Sequence, residues 1–153
     1  MASAAPRSVP AAAPAEPRLY ALLDLAAAPA LVPLVEHLVR IGAARCLFEG
    51  RLPEMLRRAS PYIVDTARAP GLLDRWRTEG AGQPWGVLME TPLPMHAARR
   101  HVRRFLQVKL PDGSGPVLCR LWDPRVLSVM IDHADDAWRQ RLHAGPSRWR
   151  TTT

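Results

Sequence analysis

Short apolar runs alternate along the chain with stretches of helical period. RLYALLD at residues 18–24 is nearly continuous in apolar character and reads as a mostly buried strand. From about residue 30 to Arg40, Leu31, Leu34, Val35 and Leu38 fall on one helical face, with Pro33 tolerated in the first turn. ARCLF at 44–48 predicts a second strand, punctuated by Gly50. Leu52, Met55, Leu56 and Ala59 then suggest a short helix that Ser60 and Pro61 stop.

Residues 62–64 predict a third short strand, and 71–78 a helix with Leu72, Leu73 and Trp76 inward, closed by Gly80, Gly82 and Pro84. WGVLME at 85–90 is the next strand, where Gly86 marks a bulge or a close backbone approach. A helix is predicted over about 93–106. Residues 107–110 and 117–122 flank PDGSGP, the turn chemistry of a hairpin. The last clear helix starts at Asp123, where Asp-Pro sets a capping carboxylate before a first-turn proline. Val126, Leu127, Met130, Ile131 and Ala134 supply its apolar stripe.

Strands alternating with helices imply an α/β fold, a mixed sheet of about five or six strands with packed helices and one late β-hairpin, in a single domain. Residues 1–17, an Ala/Pro tract, read as a disordered tail. Residues 18–135 read as the α/β domain, and 136–153 as a C-terminal segment without a convincing period.

The 153 residues exclude two large domains, and at 48% hydrophobic and 23% charged they need no staple to fold. The two cysteines, Cys46 and Cys119, are far apart and form no CxxC or Cys/His cluster, as expected of a chain from a reducing compartment without a zinc site. The tail lacks the Leu-rich segment of a secretory signal, and the apolar stretch 25–35 is broken by Pro29 and Pro33, so a cytoplasmic location and no membrane span are expected.

The formal net charge of +7 raises nucleic acid or an acidic protein as a partner. Lys109 is the one lysine, and the Arg, Ala and Pro bias is what GC-rich codons produce without functional pressure. No GxSxG, P-loop, GxGxxG or HExxH occurs. His37, His96, His101, His133 and His143 are scattered, so no enzyme activity, cofactor or metal is expected.

Within 93–106, Met95, Ala98, Val102, Phe105 and Leu106 share one sector, with His96, Arg99, Arg100, Arg103 and Arg104 opposite. Nothing acidic is spaced to neutralise this stripe within the helix. Its charge therefore faces water, an acidic segment elsewhere in the fold, or a partner. In CRLWDPR, Asp123 is the expected cap, and Arg120 and Arg125 either pair with it or present a guanidinium outward.

The segments LYALLDLA, CLFEG, ASPYIVD, PWGVLMET with HVRRFL, and VLCRLWDPRVL, in that order, resemble domain-of-unknown-function family 4123. The resemblance runs from about Leu19 to Leu127. It matches Asp24, Gly50, Pro61, Tyr62, Trp85, Gly86, Arg120, Asp123, Pro124 and Arg125 to recurrent family residues, mostly fold determinants. It implies an adaptor chaperone of bacterial type VI secretion that holds a toxic effector and delivers it to the VgrG spike protein. Family members commonly carry a second helical lobe after the DPR segment, so the resemblance implies either a minimal version or a missing lobe, of which residues 136–153 would be the truncated part. On this reading Arg99, Arg100, Arg103 and Arg104 steer an acidic partner. The alternative is a basic nucleic-acid-binding protein.

Overall fold

The computed structural model describes residues 13, 15–144 and 147–151; the expected N-terminal tail falls almost wholly outside them. The first strand, β1 (Arg18–Asp24), is followed by a 3-10 turn (Pro29–Leu31), helix α1 (Val32–Arg40) and β2 (Ala44–Cys46). A one-turn helix, α2 (Glu54–Arg57), leads to β3 (Pro61–Asp65), a second 3-10 turn (Thr66–Arg68), α3 (Leu72–Glu79) and β4 (Gly86–Thr91). Then come α4 (Met95–Arg103), the hairpin β5 (Gln107–Val108) and β6 (Val117–Leu118), α5 (Pro124–His133), α6 (Asp136–Leu142) and β7 (Arg148–Thr151).

The main sheet has five strands in the order β2-β3-β1-β4-β7, and β5-β6 form a separate pair. The α/β class, the packed helices and the late hairpin stand as the sequence predicts. The sheet, however, is antiparallel at every pairing rather than mixed. The connections through α1 and through α3 each skip one position and leave a slot that an antiparallel strand fills. β3 thus separates the parallel β1 and β2, and β1 separates β3 and β4, as in the split β-α-β-β-α-β arrangement.

β1 is the central strand, and its alternation feeds two cores. Tyr20 and Leu22 point into one, Ala21 and Leu23 into the other. Leu22 pairs with Ile63 on one side and Val87 on the other, so one rung carries three buried aliphatic residues. Each contributes about 1.5–3 kcal/mol on burial. One sheet face is covered by the first 3-10 turn through Leu31, by α1 through Val32, Val35 and Leu38, and by α3 through Leu72 and Trp76. The opposite face is covered by α4, α5 and α6 through Ala98, Val102, Leu127, Trp138 and Leu142. The result is three layers, helices on both faces of one sheet.

Several elements are shorter than the pattern predicts. The second strand stops at Cys46 because Leu47 turns into the core beneath α4 while Phe48 meets Trp122 edge to face, with ring centroids 5.8 Å apart. The helix predicted over 93–106 spans Met95–Arg103, since Pro94 stands at its N-cap in extended conformation. Residues 136–144 and 147–151 join the same body. Asp135 caps α6 by accepting the Trp138 N–H at 2.7 Å, and β7 adds a fifth strand against β4.

Candidate functional site

Nine of the ten residues singled out through the resemblance converge at one end of the central strands. Asp24 ends β1 opposite Pro61, Leu23 sits opposite both Tyr62 and Gly86, and the Asp24 N–H donates to the Trp85 carbonyl at 2.8 Å. A Cβ on Gly86 would lie 1.9 Å from the Leu22 carbonyl oxygen, so the strands touch where only glycine fits. Gly80 admits the Trp85 indole against its backbone in the same way, with 2.6 Å to a hypothetical Cβ. These positions fix the fold rather than face a partner. Gly50 lies apart, in the loop after β2 with φ 88°, a left-handed conformation that glycine adopts at low cost.

The segment Arg120 to Arg125 docks on this end. Arg120 Nη2 donates to the buried Asp24 carboxylate at 2.6 Å, while Asp24 Oδ1 accepts the Ala26 N–H. Asp123 caps α5 by accepting the Arg125 N–H at 2.9 Å, and Pro124 occupies the first helical position. The Arg125 guanidinium grips the same carboxylate through Nε and Nη2 at 3.0 and 2.8 Å. This grip holds the Asp123 pKa below the usual carboxylate range, overcoming the burial that pushes it up. Asp123 thus both caps and pairs, and Arg125 still leaves 73% of its side chain exposed.

The arginine stripe of α4 splits into two rows. Arg99 donates from Nε to the Cys46 carbonyl at 2.7 Å and from Nη2 to that of Phe48 at 3.2 Å. Arg103 donates to the Leu47 carbonyl at 2.5 Å and pairs with Glu49 at 3.1 Å. Together they hold the loop that replaces the end of the predicted second strand. Burial, then the neighbouring Arg103, lowers the pKa of Arg99 from its ordinary value. Arg100 and Arg104 are exposed and make no ion pair among the described residues.

Two open clefts meet beside Arg104. The larger, about 790 Å³, runs between the end of α4, the hairpin and the pair α5–α6, over Phe105, Val108, Met130 and Trp138. Phe105 meets Trp138 edge to face at 5.5 Å and His101 at 5.3 Å. The smaller, about 510 Å³, is lined by Leu47, Phe48, Leu106 and Leu118. Arg104, Gln107 and Lys109 line both and form the ridge between them.

The sequence singled out Arg104 but missed Lys109, Arg141 and the cleft itself. One local signal existed: Val129 is an apolar residue off the buried stripe of α5, and it stands 56% exposed. Among the described residues no group of three or more His, Cys, Asp or Glu is arranged to hold a metal ion. Nor is any helix among them long and apolar enough to cross a membrane.

The model of a family described as a domain of unknown function (DUF4123) matches residues 19–141. No curated protein matches the chain, and no solved structure does.

Proposed function

The chain belongs to the DUF4123 family, and from that premise we propose that it is an adaptor chaperone of bacterial type VI secretion. It binds a toxic effector protein in the cytoplasm and helps load it onto the VgrG spike, without transforming either. The observation that carries this reading is the apolar cleft between the hairpin and α5–α6. It is an open cleft of about 790 Å³ at the side of the three-layer body, left uncovered by the described residues. Apolar anchors seated there supply binding energy, and unpaired cations at the rim raise the rate of encounter with an acidic partner.

The arrangement of charge supports a protein client over a nucleic acid. Of the stripe, Arg99 and Arg103 are held by backbone carbonyls and Glu49. Other arginines pair with carboxylates: Arg75 with Glu79, Arg77 with Asp74, Arg120 with Asp24 and Arg150 with Glu90. The net charge of +7 nevertheless supports nucleic-acid binding as a second reading.

The test is co-purification of the tagged chain with the effector and spike proteins encoded beside its gene, together with a gel shift on arbitrary DNA and RNA at physiological salt. Capture of the effector with no shift supports the adaptor. A salt-sensitive shift without capture replaces it with the nucleic-acid reading, and indifference to all of them overturns both.

A further inference from the structure

We propose that the two clefts beside Arg104 together seat one segment of the client protein, in which carboxylate side chains lie between two apolar anchors. This inference rests on the adaptor reading and deepens it by naming the chemistry recognised.

The apolar seats come first. Val129 and Leu110 project from the two walls of the larger cleft, exposed at 56% and 38%, and none of the described residues covers them. Leu118, at the far side of the ridge, is also exposed and lines the smaller cleft. An extended apolar surface interrupted by a polar ridge fits a partner whose own pattern is apolar, polar, apolar.

Charge decides the sign of the middle portion. The ridge carries Arg104 and Lys109, and Arg141 stands on the far wall of the larger cleft. None of the three has an ion pair among the described residues. The one carboxylate in that lining is Asp135, whose Oδ1 accepts the Trp138 N–H at 2.7 Å to start α6. In the smaller cleft Glu49 is held at 3.1 Å by Arg103. The ridge therefore presents cations unmatched from within, a field that complements an anionic strip. A further exposed apolar pair, Met55 and Leu56 on α2, adjoins Arg58, which meets Glu36 and Glu54.

The experiment uses the full chain, immobilised, and a displayed library of random peptides. The expected result is enrichment of peptides in which Asp or Glu lies between apolar residues. Their affinity falls roughly tenfold for the double variant Arg104→Glu, Lys109→Glu and for the single variant Val129→Asp. Arg77→Glu, on α3 across the sheet, leaves it unchanged, and circular dichroism verifies that each variant folds. Absence of enrichment, enrichment without acidic residues, or equal binding by the double variant overturns the proposal. So does a concentration-dependent dimer that buries the clefts, or displacement of the peptides by an oligonucleotide of equal charge. If the double variant still captures the effector at full strength, this inference fails while the adaptor reading stands. If peptides bind as expected but effector and spike are not captured, the adaptor reading fails instead.

Discussion

Arg120 reaches across 96 residues of sequence to place its guanidinium 2.6 Å from the Asp24 carboxylate, tying the approach to α5 onto the end of the central strand. Asp24 is 4% exposed and Arg120 is half exposed, so the bond is screened on one side only. Removing the arginine leaves a buried carboxylate whose one remaining hydrogen-bond donor among the described residues is the Ala26 N–H. Arg120→Ala is expected to destabilise the chain by about 1–3 kcal/mol, read as a lower urea midpoint at unchanged slope. A midpoint equal to that of the parent would show that the pair does not contribute to folding.

Gly86 and Gly115 separate steric need from the general flexibility of glycine. A Cβ at 86 would collide with the Leu22 carbonyl at 1.9 Å, in the middle of a sheet that cannot part, whereas nothing lies within 4 Å of one at 115. Gly86→Ala is expected to cost more than about 3 kcal/mol or to prevent folding. Gly115→Ala should change stability by less than about 0.5 kcal/mol. Thermal unfolding of both variants tests the pair, and equal midpoints would contradict the close approach of β4 to β1.

Asp123 gives the molecule an acid-sensitive clasp. Because Arg125 and the α5 N–H groups favour the ionised form, folding lowers the pKa of this carboxyl. Its contribution is therefore complete above the ordinary carboxylate range near 3.9 and disappears as pH falls through the lower folded value. Asp123→Asn retains a capping oxygen and removes the charge. The stability gap between parent and variant should be widest at neutral pH and close in strong acid. In an Arg125→Ala background the gap should be narrower at neutral pH, because the main cause of the shift is gone. Urea midpoints across the acid range measure both, and a gap independent of pH would remove the carboxylate from the account.

What was legible in the sequence is what local chemistry decides. The Asp-Pro pair at 123–124 supplies a capping carboxylate and a first-turn proline from adjacent positions, and RLYALLD is apolar at every position needed by a strand buried on both faces. The C-terminal strand RWRT was opaque because β7 is a sheet edge, where Arg148 and Arg150 flank a half-buried Trp149 and no apolar run is required. The order of strands was hidden for a different reason. Which neighbour fills the slot left by a crossover is settled by tertiary packing, not by any one segment. The same holds for the clefts, whose walls come from residues 47–49 and from 101 to 144, and whose cations are adjacent only after folding.

The stripe on α4 shows the limit most directly, and it yields the last prediction. A helical projection sets Arg99 and Arg103 beside Arg100 and Arg104 as two equivalent rows, yet one row is bonded to the carbonyls of Cys46, Leu47 and Phe48 while the other faces water. The rows should therefore separate in experiment. Arg99→Ala with Arg103→Ala leaves the carbonyls of an inner loop without donors and is expected to destabilise by about 2–4 kcal/mol. Leu47 and Phe48 lose their anchorage with it. Arg100→Glu with Arg104→Glu should leave the unfolding midpoint within about 0.5 kcal/mol of the parent. The same double reversal should slow association with an acidic effector and flatten its salt dependence. Stopped-flow capture at two ionic strengths, alongside thermal melts, reads both rows at once. Loss of stability from the outer row, or unchanged association kinetics after its reversal, would refute this division of labour.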